Sequence, residues 1–172
     1  MITLDFETEA IVGNPLVSPP KPVGLAILWP SGIEEYVTGW SDMENMWGAV
    51  MRAGHDLLFH NAPFDLSVGC HWFDVPWPRW ERVHDTMFLL FLADPYAQSL
   101  SLKPSAERYL GEPPEEQNEL HTWIIQNVPE ATKKTAGAYI SRAPVELVRP
   151  YAIGDVKRTK ALYDYLTKDI EV

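Results

Sequence analysis

Four carboxylates and one phenol carry the chemistry this sequence could perform. Asp5 and Glu7 lie two apart in the first segment, where Ile2, Leu4 and Phe6 alternate with Thr3, Asp5 and Glu7. Such alternation marks a β-strand. Side chains two apart on a strand share a face, separated by about 6.6 Å of rise. Two carboxylates that close repel in a partly buried setting, so one takes up a proton or a cation sits between them. A solvated strand face is the plainer alternative. Against it, a first strand in an α/β sheet is often central and covered on both faces.

Asp155 is the most informative of the four. Ala152, Thr159, Leu162 and Leu166 form a stripe at helical spacing, and Asp155 falls on it. The core-facing arc of an amphipathic helix should hold no lone carboxylate, because burying one unpaired is costly. Lys157, Arg158 and Lys160 are expected off this stripe, which weakens a salt bridge from the same helix. A metal, a proton or a partner from elsewhere must then serve. Tyr151 stands four residues before Asp155, so its hydroxyl is expected near the same site. Asp65 follows a short apolar strand, Leu57 to Phe59, and falls in the first turn of a helix. Asn61 is the expected cap, and Pro63 is tolerated in that first turn. The helix dipole favours a carboxylate there. Taken alone, Asp65 reads as helix-start chemistry.

Four acidic residues from three segments, with a phenol nearby, suit two-metal phosphodiester cleavage, with the cations about 3.5–4 Å apart. Hard divalent cations such as Mg²⁺ and Mn²⁺ prefer the oxygen ligands that these side chains supply.

These residues need elements to position them. Val23 to Trp29 and Ile33 to Thr38 read as strands joined by a Pro30-Ser31-Gly32 hairpin turn. Pro15 to Pro22 reads as a loop. Helices are expected over Asp42 to Ala53, capped by Ser41, then from near Asn61, over Thr86 to Ala93, Lys103 to Leu110 and Glu115 to Asn127. The acidic residues of the last fall in its first turn. A closing helix is expected to start with Pro150 in its first turn and to run to about Lys168. Strands early and helices late, with one β-α-β-like stretch, indicate an α/β fold: a mixed sheet flanked by helices. The 172 residues suit a single domain, 1–172.

Composition removes several classes. Fourteen basic residues against 24 acidic ones leave a net charge of −10, the reverse of a non-specific duplex binder. A bound divalent metal inverts local charge logic, so a phosphate substrate stays open. The single cysteine, Cys70, allows neither an intrachain disulfide nor a cysteine-based zinc site. No stretch approaches the length of a membrane span, and no secretory signal is expected. A cytoplasmic location follows, the host cytoplasm if the chain is phage-encoded. No Gly-rich phosphate loop or GxSxG nucleophile motif is present. The five histidines show no pair at metal-ligand spacing and read as structural. Asp85 reads as the cap of the next helix, with indirect support of the site. Trp72, Trp77 and Trp80 read as a packed loop. Lys133, Lys134, Tyr139 and Arg142 could grip a single strand, but an ordinary solvated loop is the favoured reading.

Asp5-Phe6-Glu7-Thr8, Asn61-Ala62-Pro63-Phe64-Asp65 and Tyr151-Ala152-Ile153-Gly154-Asp155 together resemble the three motifs of the DEDDy branch of the DnaQ-like 3′→5′ exonucleases. Ser101-Leu102-Lys103 with Ala106-Glu107-Arg108-Tyr109-Leu110-Gly111 resembles a helix common between the second and third motifs. Any one motif is weak; three in order across nearly the whole chain are specific. The likeness is greatest to the proofreading domain of family A DNA polymerases, phage-like ones above all. The resemblance implies a ribonuclease-H-like fold and two cations, Mg²⁺ or Mn²⁺. It implies that Asp5 bridges both, that Glu7 and Asp155 help hold the first, and that Asp65 holds the second. Tyr151 would orient the attacking water. Thr8 and Ile11 would touch the terminal nucleotide, Asn61 its backbone, and Phe64 would pack beside Asp65. The implied substrate is a single-stranded DNA 3′ end. The implied setting is proofreading or DNA processing beside a polymerase or another replication protein, as a free-standing nuclease or an excised domain. Two alternatives remain: an RNA 3′→5′ exonuclease, which no residue here separates by reading a 2′-hydroxyl, and a non-catalytic docking module.

Overall fold

The computed structural model describes residues 1–113 and 115–170; of residues 115–118 it describes the backbone alone. The strands are β1 (Ile2–Thr8), β2 (Pro22–Leu28), β3 (Glu34–Thr38), β4 (Leu57–Phe59) and β5 (Val83–Asp85). They form one sheet in the order β3-β2-β1-β4-β5. β1 pairs antiparallel with β2 and parallel with β4; β3 is antiparallel to β2, and β5 is parallel to β4. The helices are α1 (Trp40–Arg52), α2 (Ala62–Trp72), α3 (Thr86–Ala93), α4 (Leu102–Leu110), α5 (Glu115–Asn127) and α6 (Val145–Thr167). The acidic side chains expected in the first turn of α5 lie outside the described residues.

The alternation in β1 does what it indicated. Ile2, Leu4 and Phe6 enter the main core, against Met43 and Trp47 of α1 and Leu66 of α2. The opposite face carries Asp5 and Glu7 and lies under α6, whose Ala152, Ile153 and Val156 pack on Ala26 of β2. β1 is therefore central and covered on both sides, so the face bearing the two carboxylates is not solvated. This is the mixed, helix-flanked sheet expected from the sequence. Among the described residues, no helix is long and apolar enough to cross a membrane.

Local expectations were met unevenly. The hairpin between β2 and β3 closes through Trp29 N–H to Ile33 O at 2.9 Å, with Gly32 at φ 89°. Helix α1 starts one residue before Ser41, and no side chain caps it; Gly39 precedes it at φ 87°. Helix α6 starts at Val145, not at Pro150, so the proline lies inside it. The chain tolerates this because Glu146, whose carbonyl loses its partner, is exposed. The stretch after Lys133 forms a 3-10 helix, Ala136–Arg142. Strand β5 was not anticipated: three residues are too few to show a period. Trp72 packs and donates to the carbonyls of Pro19 and Pro20 at 3.1 and 3.0 Å. Trp77 and Trp80 depart from the packed-loop expectation. Their rings meet at a tilt of 50°, 5.7 Å apart, and both stay exposed.

The cap of α2 is the most consequential correction. Asn61 takes the left-handed conformation (φ 70°, ψ 60°), and its side chain caps nothing. Asp85 does that work from β5. Its carboxylate accepts from the N–H groups of Asn61 (3.0 Å) and Ala62 (2.9 Å), and also from those of Met87 (2.9 Å) and Phe88 (3.4 Å) at the start of α3. One side chain thus satisfies the orphan donors of two helices. Replacing Asp85 by Ala is expected to lower stability by about 2–3 kcal/mol, more than one lost cap, read from the urea midpoint at unchanged m-value.

Candidate metal centre

The carboxylates gather where β1 runs past the end of β4 while still paired with β2. β4 pairs with β1 only at Ile2 and Thr3. Beyond that point the β4 side of β1 would be an open edge, and the N-terminus of α2 fills it. Asp65, 1% exposed, accepts the Phe6 N–H at 2.8 Å through Oδ1. A helix-start carboxylate so replaces a missing ladder partner and is locked against β1. The position, at the C-terminal ends of parallel strands, is where open α/β sheets place ligands.

Asp5 and Glu7 meet Asp155 on the other side of β1. One carboxylate oxygen from each lies within 4.8 Å of the other two. The α6 stripe is real: Ala152, Asp155, Thr159 and Leu162 are all buried. Asp155 has the partner from elsewhere that was left open, and the expectation that its own helix supplies none is overturned by Arg158. Lys103 donates from Nζ to Asp155 Oδ2 at 2.8 Å, and Arg158 from NH1 to Oδ1 at 3.4 Å. Lys103 comes from α4, which packs on α6 and lies 52 residues away in the chain. Arg158 was placed off the stripe by angle alone, but a long arginine stem folds back along its own helix. Lys157 and Lys160 do turn outward, to Glu34 and Asp164.

The site is short of positive charge. Burial, then Asp155, pushes the Asp5 carboxyl up to about 8, and Lys103 only partly offsets this. Burial, then Asp5 and Asp155, holds the Glu7 carboxyl well above the usual range, and Glu7 Oε1 is buried with no hydrogen-bond partner among the described residues. Asp65 is raised by burial and then by Asp5, against the pull of the Phe6 N–H. The Tyr151 phenol is raised by burial, then by Glu7, Asp155 and Asp5, so it keeps its proton. The Lys103 ammonium sits 3.9 Å from the centre of its ring. Sequence reasoning noted Lys103 within a motif but assigned it no contact; no local pattern shows where α4 will dock.

The substrate residues are less gathered. Thr8 ends β1 and donates to Glu9 O at 3.0 Å. Ile11 is 56% exposed on the following loop. Asn61 is half-buried before α2. Phe64 packs against the main core, beside Asp65 in the chain. Asp94 and His84 make structural pairs, with Arg108 at 2.8 Å and with Asp56 at 3.1 Å. Burial drives His60 down to about 4, so it is neutral; its Nδ1 lies 2.8 Å from the Thr86 hydroxyl.

No known family profile matches the chain, and no curated protein does. Solved structures do. The chain is similar to a protein described as the apo form of the nuclease, at TM-score 0.66 and 20% identity over 97% of this chain and 71% of that one. It is similar to Brucella melitensis NrnC bound to pGG, at TM-score 0.66 and 19% identity, and to Brucella melitensis NrnC with bound Mg²⁺, at TM-score 0.65 and 19% identity. Both matches cover 97% of this chain and 71% of the other. At this identity the likeness establishes the fold, which is ribonuclease-H-like and is shared with nucleases.

Asp5 holds its proton more tightly folded than unfolded, as do Glu7 and Asp65. The metal-free fold therefore draws stability from their protonation. For Asp5 this is complete below its ordinary 3.8 and is lost as pH rises through about 8. In EDTA the melting temperature is expected to fall across this interval, followed by circular dichroism, while Asp5→Asn flattens the slope.

Proposed function

We propose that residues 1–172 form a metal-dependent 3′→5′ exonuclease domain that hydrolyses the terminal phosphodiester of a single-stranded DNA end. The observation that carries this reading is the buried carboxylate trio of Asp5, Glu7 and Asp155, with Asp65 locked to the same strand. The donor set fits hard divalent cations: every ligand atom is a carboxylate oxygen, one buried Glu7 oxygen has no hydrogen-bond partner among the described residues, and burial, then neighbouring carboxylates, pushes three of the carboxyls toward their protonated form. The fold is shared with a protein described as a nuclease and with Brucella melitensis NrnC, solved with bound Mg²⁺ and bound to pGG, which supports both the ion and a nucleic-acid ligand.

In this reading Asp5, Glu7 and Asp155 would hold one Mg²⁺ or Mn²⁺ ion, and Asp5 with Asp65 would hold a second. When bound, the ions supply Lewis acidity for the leaving oxygen and lower the pKa of the attacking water. The protein's own part is positioning. Phe6 N–H fixes one Asp65 oxygen and leaves the other for the ion. Tyr151, kept protonated by its surroundings, orients the water through its hydroxyl. Lys103 and Arg158 orient the Asp155 carboxylate, one on each oxygen. Thr8 and Ile11 lie along the chain leaving β1, suited to the terminal nucleotide, with Asn61 near its backbone and Phe64 flanking Asp65. Proofreading or DNA processing beside a polymerase or another replication protein is the proposed setting. An RNA end is the second reading, favoured by pGG, a ligand written without a deoxy prefix, on the neighbour; matched DNA and RNA oligonucleotides decide.

A 5′-labelled single strand should shorten stepwise with Mg²⁺ or Mn²⁺ and stay intact in EDTA. Asp155→Ala should abolish turnover with the fold retained, and Tyr151→Phe should slow it; wild-type rates from Asp155→Ala would remove the site assignment. Mn²⁺ at about 100 times its Kd should stabilise the chain by ~2.7 kcal/mol, visible as a raised melting temperature. A docking module without a site would show no rise.

A further inference from the structure

Strand β2 places a glycine, Gly24, directly across from Glu7 in the antiparallel register. The register shifts just beyond it, between Glu7 and Thr8, but Gly24 itself has no positive φ that would demand a glycine. Glycine inside a strand weakens it and often marks a place where another group comes close. Here the group is Tyr36 of β3. Gly24 pairs with Thr38 and Ala26 with Tyr36, so Tyr36 lies diagonally across from Gly24 on the face that bears Asp5 and Glu7. A Cβ at Gly24 would overlap the Tyr36 hydroxyl and ring. The missing methyl opens a path for the phenol toward the carboxylates of β1.

Electrostatics agree with that placement. After burial, Glu7 and then Asp5 are what hold the Tyr36 phenol above its ordinary value, so it is a protonated donor. Its oxygen is buried and meets no hydrogen-bond partner among the described residues, and the same holds for Glu7 Oε1. Buried polar atoms are normally paired, and each exception asks for a reason. An orphaned donor and an orphaned acceptor facing one centre share a reason.

We propose that Tyr36 is a positioning residue whose O–H donates to the Glu7 carboxylate when Glu7 turns to hold a cation, with Gly24 as the gap that admits it. The inference rests on the reading of Glu7 as a cation ligand. A carboxylate with one oxygen so held presents the other to the ion in a fixed orientation, as supporting hydrogen bonds do around metal sites generally.

Tyr36→Phe keeps the ring that packs beside Ala26 and α6 and removes only the oxygen. In EDTA this variant should melt at or above the wild-type temperature, because it loses a hydroxyl that had no partner. Its Kd for Mn²⁺, measured by titration calorimetry, should weaken about tenfold, and kcat should fall at limiting Mn²⁺ with KM for the oligonucleotide unchanged. A lower melting temperature in EDTA with a wild-type Mn²⁺ Kd overturns the inference in favour of packing alone and leaves the metal centre standing. A wild-type chain that takes up no Mn²⁺ overturns the metal centre and this inference with it.

Discussion

Like charges buried side by side govern this molecule. Asp5 and Glu7 sit on one face of a strand that is covered on both sides, and α6 brings Asp155 down onto them. Water cannot screen the repulsion as it would at a surface, so the fold holds protons and counter-charges where ionised carboxylates would otherwise stand. Lys103 and Arg158 are part of that answer, and the raised carboxyls are the rest. An arrangement so unfavourable for an unliganded chain becomes favourable once divalent cations enter, which is why the same geometry supports the proposed hydrolysis.

The remainder of the architecture keeps those charges from relaxing apart. Asp65 is tied to β1 through the Phe6 N–H, at the point where β4 stops. The helix that carries Asp65 is pinned at its start by Asp85, which also pins α3. The short β5 therefore matters more than its three residues suggest, because it delivers the side chain that caps both α2 and α3. Tight packing of Trp47 against Gly69, where a Cβ would overlap the indole, keeps α2 close to α1.

Much of the candidate centre was legible before folding. Two-residue alternation placed Asp5 and Glu7 on one face, and the α6 stripe marked Asp155 as buried; both hold in three dimensions. What failed has a common cause. Asn61 was read as a cap from residue type alone, while its backbone is left-handed, its side chain makes no cap bond, and Asp85 does the capping. Arg158 was read from angles around one helix as out of reach of Asp155, while its long stem folds back onto that carboxylate. Tyr36 was missed entirely, although a glycine inside a strand is a signal of close approach.

Sequence alone determined which residue types could meet: periodicity is a local property of the chain, and it fixes the face on which a side chain emerges. It determined the α/β class by the same means. Only tertiary structure decided the partners of those faces: that Lys103 lies on Asp155, that Asp85 reaches α2, and that Tyr36 passes over Gly24 toward Glu7. Such contacts depend on how separate elements dock, and docking is set by the shape and packing of the whole core rather than by any window of neighbouring residues.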